Sequence, residues 1–164
     1  AGISMNPTPV EDIADAFFDL VLATNVRSVY LGAKHVVPVM KRQRSGVIIN
    51  TASTAGVRPR PGASAYSASK GAVIALTKAL AVELAPDGIR AVCLLPFSTD
   101  TPMLRAQIER DPPDQPARTR LQAIPLGRFI TPEEVARAAL YLASDAAAML
   151  SGTALEIDGG RLLL

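Results

Sequence analysis

The sequence has no tryptophan, one cysteine and one histidine among its 164 residues. A lone cysteine closes no internal disulfide, which fits a reducing compartment. Cys93 lies in the apolar run RAVCLLP, where a thiol serves as a small core side chain, and no histidine is near it in sequence. His35, in GAKHVVPVM, reads as a helix residue rather than a catalytic one. One His and one Cys do not make a zinc ligand set, so no metal is expected. Charge of one sign is lacking too. The formal net charge is +2, too small for the basic footprint of a nucleic-acid binder. The densest basic run, Met40 to Gly46, reads as a solvated helix end, where cations meet the negative end of the dipole. No apolar run reaches the ~18 residues of a membrane span, and no signal peptide opens the chain. These absences point to a soluble, cytoplasmic protein with neither nucleic acid nor membrane as a partner.

What is present is alternation. Apolar residues make up 49% and charged residues 20%, enough for a single domain over residues 1–164 with its own core. Thr8 is predicted to cap a helix, with Pro9, Glu11 and Asp12 in its first turn. A long helical pattern follows, with apolar residues at Phe17, Val21, Val29, Ala33, Val36, Val37 and Met40, and Gly46 ends it. GVIINTAS, IRAVCLLP and TALEIDGG read as buried strands. A second helix is predicted from about Ala65 to Leu84, with Gly71, Ala72, Ala75, Ala79 and Ala81 giving it a face that another helix can approach closely. TPEEVARAALYLAS carries a start signal in Thr131, Pro132 and two glutamates. The polar, proline-broken segment 103–129 is expected to form a substrate lid, with Met103, Leu104 and Ile108 as apolar contacts. Helix, strand, helix, strand, helix, strand predicts a parallel α/β sheet.

The stretch SAYSASKGAV concentrates the chemistry. Tyr66 and Lys70 stand at i and i+4, on one helical face. A phenol ordinarily ionises near pH 10, too high for a base at neutrality. An ammonium ~5 Å away, at an effective dielectric of ~20, favours the phenolate by roughly 3 kcal/mol. That brings the group toward the range where proton transfer is efficient. A nearby serine hydroxyl then holds the substrate oxygen. Taken alone, a Tyr-x-x-x-Lys pair also describes many helix surfaces.

The surroundings narrow this. YSASKGAV, with Ser53 upstream in INTASTAG and Asn25 in LATNVRSVYLGAKHVVPVM, resembles the catalytic pattern of the short-chain dehydrogenase/reductase family. LAVELAPDGIRAVCLLP and IPLGRFITPEEVARAALYLASDAAAMLSGTALEIDGG resemble its later segments, and Ala1-Gly2 resembles the tail of its Asn-Asn-Ala-Gly motif. The likeness runs along essentially the whole chain, which resembles the glucose dehydrogenase and oxoacyl reductase types. It implies a Rossmann-like parallel sheet with flanking helices. It also implies hydride transfer between NAD or NADP and a secondary alcohol or ketone. Tyr66 becomes the general acid/base, Lys70 its partner and a ribose ligand, Ser53 the group that polarises the carbonyl. Asn25 becomes the holder of a water connecting Lys70 to solvent. Ala1, Gly2, Tyr66, Lys70, Pro96 and Thr101 become cofactor contacts. For Asn25 and Ser53 the residues also admit plainer readings, as a polar residue at a helix kink and a strand-end cap.

Two departures qualify the resemblance. Phe97 follows the strand proline where the family commonly has glycine. No two of the eleven glycines form the family's Thr-Gly-x-x-x-Gly-x-Gly loop, which seats a pyrophosphate on a helix N-terminus. The chain therefore reads as the C-terminal part of such an enzyme, without the N-terminal strands. The first strand is then expected to keep an unpaired edge. The resemblance implies a homodimer or homotetramer built on the two long helices. The competing expectation is a non-catalytic, self-associating interaction module.

Overall fold

The computed structural model describes residues 2–109 and 117–164. The three β-branched and apolar runs form strands β1 (Gly46–Thr51), β2 (Ile89–Pro96) and β3 (Ala154–Ile157). They lie in the order β1-β2-β3, and both pairs are parallel. Parallel neighbours need crossover connections, which helices α3 (Ser64–Leu84) and α6 (Pro132–Ala143) supply. Before β1 come α1 (Asp15–Leu22) and α2 (Ser28–Gln43). Between β2 and α6 lie α4 (Pro102–Ile108) and α5 (Ala117–Gln122).

Strand β2 is the centre of the core. Its alternate side chains serve opposite faces, as the two-residue period of a strand requires. Ala91 packs with Ala33 of α2 and with Ala81 and Leu84 of α3. Cys93 and Leu95 pack against Val73 and Ile74 of α3. Val92 and Leu94 face the other way, onto Leu142 of α6 and Ala147. The sheet thus carries helices on both faces, the expected α/β arrangement. Burying each such Val or Leu contributes roughly 1.5–3 kcal/mol. Among the described residues β1 pairs only with β2, so its other edge is open as anticipated. Cys93 is a buried free thiol, which burial pushes above its ordinary pKa. It is core.

Three local expectations change. Thr8 caps no helix: its hydroxyl donates to the Asn6 carbonyl, and the chain makes only a short 3-10 turn at Val10–Asp12. Helix α1 starts later, after Ala14. The small residues of α3 do not share one outer face. Ala81 is in the core, and Gly71 lies under the backbone of Gly56, leaving Ala75 and Ala79 outside. The basic end of α2 is paired rather than merely solvated. Lys41 and Arg44 both reach Asp87, at 3.2 and 2.9 Å. Arg44 closes the helix in the left-handed conformation. Of the expected lid, residues 110–116 lie outside the described residues, as does Ala1.

Candidate active site

The helix formed by α1 and α2 is interrupted by a π turn at Ala23–Arg27. Such turns often mark functional positions, because they turn a side chain out of helical phase. Here the turned residue is Asn25, which is 2% exposed. Its Nδ2 donates to the Ile3 carbonyl and its Oδ1 accepts from the Ile3 N–H, both at 2.9 Å. Nδ2 also donates to Ser69 Oγ at 3.0 Å, and Ser69 donates to the Tyr66 carbonyl at 2.7 Å. One amide thereby ties the N-terminal segment to the turn that bears Tyr66. Gly2 passes so close that a Cβ there would meet Asn25 Oδ1 at 2.9 Å and Lys70 Nζ at 3.7 Å.

Ser53 ends the loop after β1 and caps a 3-10 turn at Thr54–Gly56, accepting from the Ala55 N–H at 3.2 Å. That turn rests directly on α3. A Cβ on Gly56 would stand 2.7 Å from Gly71 N and from Lys70 C. Only glycine permits the seat, and with it Ser53 and Tyr66 line the same cavity; the Ser53 hydroxyl itself donates to the Pro96 carbonyl at 3.4 Å. Lys70 is 5% exposed. Its Nζ donates to the Thr51 carbonyl at 3.0 Å and lies 5.7 Å from the Tyr66 ring centroid.

The electrostatics differ from the simple pair argument. Burial pushes the Tyr66 phenol above its ordinary pKa; the Ser53 hydroxyl and the charge of Arg60 pull it partly back. Burial also lowers Lys70. In these residues by themselves, loss of water around the phenolate outweighs the attraction of the cation. Tyr66 is therefore held as the protonated phenol at neutral pH.

Gly2, Ser53, Tyr66, Lys70, Pro96 and Thr101 all line one cavity of about 1170 Å³. Pro96 ends β2, and Thr101 caps α4, accepting from the Leu104 N–H at 3.4 Å. Asn25 is not on the wall but behind it, so its place is that of a positioning residue. His35 is exposed on α2, away from the cavity. Sequence reasoning missed Gly56, Ser69 and Arg60. The small residues flanking Ser53 and Lys70 were the available signal for the first two; nothing near Arg60 announced its electrostatic reach to Tyr66. Among the described residues no cluster of three metal-ligating side chains occurs, and no helix is long and apolar enough to cross a membrane.

A family model described as enoyl-(acyl carrier protein) reductase matches residues 1–161. The 4-formylbenzenesulfonate dehydrogenase of Comamonas testosteroni is 43% identical over 163 residues, 98% of this chain and 64% of that protein. The crystal structure of the 3-ketoacyl-(acyl-carrier-protein) reductase of Brucella melitensis complexed with NADH superposes with a TM-score of 0.89 at 40% identity, covering 98% of this chain and 64% of that one. The structure of ElxO with NADP bound superposes with a TM-score of 0.91 at 29% identity, covering 100% and 65%. The chain thus spans a little under two thirds of the length of these relatives. With its parallel sheet, its Ser53–Tyr66–Lys70 wall and these matches, the chain belongs to the short-chain dehydrogenase/reductase family.

Proposed function

We propose that the cleft carries out hydride transfer between NAD(P) and a secondary alcohol or ketone. The observation that carries this reading is the meeting of Ser53, Tyr66 and Lys70 on one cavity wall. The relatives solved with NADH and with NADP support the choice of cofactor. The wall suits its nicotinamide–ribose end. An ammonium has three donors, and Lys70 uses one on Thr51, leaving two for ribose hydroxyls. Gly2 leaves open the space beside that ammonium which a Cβ would narrow. Pro96 and Thr101 flank it on the same cavity. These 164 residues contain no glycine-rich counterpart for the pyrophosphate.

The bound dinucleotide supplies or takes the hydride. Tyr66 gives its phenolic proton to the carbonyl oxygen in reduction and takes it back in oxidation. Ser53 donates to the same oxygen as charge develops on it. Lys70 holds the ribose side and stabilises the phenolate once formed. Asn25 keeps the Tyr66 turn and the Gly2–Ile3 segment in register. Because the phenol is raised, reduction suits neutral pH, and oxidation gains as pH rises toward the phenol's ionisation. Met103 and Leu104 of the 103–129 segment, with Ala123, form the substrate side of the cleft. The chain works as one domain, the C-terminal part of a Rossmann-fold oxidoreductase. It self-associates as a homodimer or homotetramer, since Phe18, Leu20, Tyr30 and Val82 on the long helices are exposed. A reducing cytoplasm suits its free thiol.

The test is Tyr66→Phe. Turnover is expected to fall by roughly 10²–10⁴-fold, the usual worth of a general acid, while NADH fluorescence still reports binding. Wild-type turnover in that variant rules the reading out.

A further inference from the structure

Among the described residues, the charged side chains that line the cavity are Arg58, Arg60, Lys70, Arg120 and Arg161. The chain as a whole is nearly balanced, with 17 basic and 15 acidic residues, so this described lining is more basic than the chain's average. A recess lined by one sign of charge focuses its field and concentrates ligands of the opposite sign.

Arg161 stands out within this set. Its guanidinium lies over the Phe97 ring, 5.6 Å from the centroid. Its Nε is buried and has no hydrogen-bond partner among the described residues. Buried donors are normally satisfied, so this residue is left with unmet hydrogen-bonding capacity beside the cavity. Two contacts hold the residue in place. Arg58 Nη1 donates to the Arg161 carbonyl at 3.3 Å. Asp158, just upstream, accepts from the N–H groups of Gly160 and Leu162 at 2.9 and 2.7 Å, which fixes the turn bearing Arg161. Phe97 is the residue that departs from the family's usual glycine, and it gives the guanidinium a flat face to rest on. A planar, pre-oriented guanidinium matches a carboxylate better than a flexible ammonium does.

We propose that the cleft selects alcohols or ketones that carry a carboxylate, and that Arg161, stacked on Phe97 and steadied by Arg58, receives that group. This rests on the oxidoreductase reading for its reacting centre, at Ser53 and Tyr66. The anion site itself stands on the cavity lining alone.

The test is calorimetric titration of the full chain, without dinucleotide, using 4-oxopentanoate, 5-oxohexanoate and their methyl esters. At least one acid is expected to bind about tenfold or more tightly than its ester, the worth of a hydrogen bond to a charged group. The gap is expected to narrow with added salt. Arg161→Gln removes it, Arg161→Lys keeps part of it, and Phe97→Leu reduces it. Equal affinity of acid and ester in the unmodified chain overturns the proposal, whatever the variants do. So does a gap that survives Arg161→Gln. If that variant instead weakens NADPH relative to NADH and spares the gap, the cation reads a cofactor phosphate, and the proposal also falls. An intact acid preference with no turnover by either dinucleotide keeps the anion site and sinks the oxidoreductase reading.

Discussion

Helix α6 opens on a closed set of local bonds. Thr131 Oγ1 accepts from the Glu134 N–H at 3.3 Å, and Glu134 returns a carboxylate oxygen to the Thr131 N–H at 2.8 Å. Arg128 grips both carboxylate oxygens, at 2.6 and 2.9 Å. Helix α3 opens on Ala63, whose side chain caps nothing. Its first turn is held from outside instead. Ala65 is fully buried against Met5 and Val21, and Thr8 N–H donates to the Gly62 carbonyl at 3.0 Å. The helix that needs only to exist is secured by its own residues. The helix that must present Tyr66 to a cleft is secured by its neighbours, and its first turn is left facing the cavity.

The largest effect expected is from Gly56→Val. The added atoms would have to displace the backbone of Lys70 and Gly71. Overpacking of this kind costs about 1–3 kcal/mol, read as a lower urea midpoint, and should abolish turnover by moving Ser53. Asn25→Leu comes next. It removes the two part-buried hydrogen bonds to Ile3, at about 0.5–1.5 kcal/mol each. Turnover should fall with stability, although Asn25 does not line the cavity. Thr131→Ala should cost about 1 kcal/mol in thermal or urea unfolding and leave kcat unchanged. If it depressed kcat as strongly as Gly56→Val, the contrast between the two helix starts would be broken. The smallest effect concerns acid. Glu134 is depressed to about 2 by Arg128 and by the Thr131 N–H. Its folded pKa lies below its unfolded one, so its contribution is complete above about pH 4.5 and disappears as pH falls through about 2. Carboxylate NMR titration should show Glu134 still ionised well below the usual glutamate range, and Arg128→Gln should move it back up.

These differences also explain what could be read from the sequence. The three strands and the start of α6 were legible because their signals are local: β-branched runs, and Thr-Pro-Glu-Glu at fixed offsets. Tyr66 and Lys70 were legible through helical spacing, and Ser53 through the family pattern. The direction of the Tyr66 pKa was not, because it depends on how much water the fold removes from around the phenol. Gly71 and Ala81 look alike in a list of small residues, yet one lies under Gly56 and the other in the core. The pairing of Lys41 and Arg44 with Asp87 was likewise out of reach. It depends on where a distant turn comes to rest.

The π turn at Ala23–Arg27 makes chain length itself a constraint. One residue takes up about 100° of a helix. A π turn holds about one residue more than the α turn it replaces, so deleting one position there, even a chemically bland one such as Ala23, would return the ladder to α bonding. Val21 would keep its bearing toward Ala65 and Ala33 toward the sheet. The Asn25 amide would lose its place between Ile3 and Ser69. Gaps in this stretch should accordingly be far less forgiving than exchanges of one side chain for another.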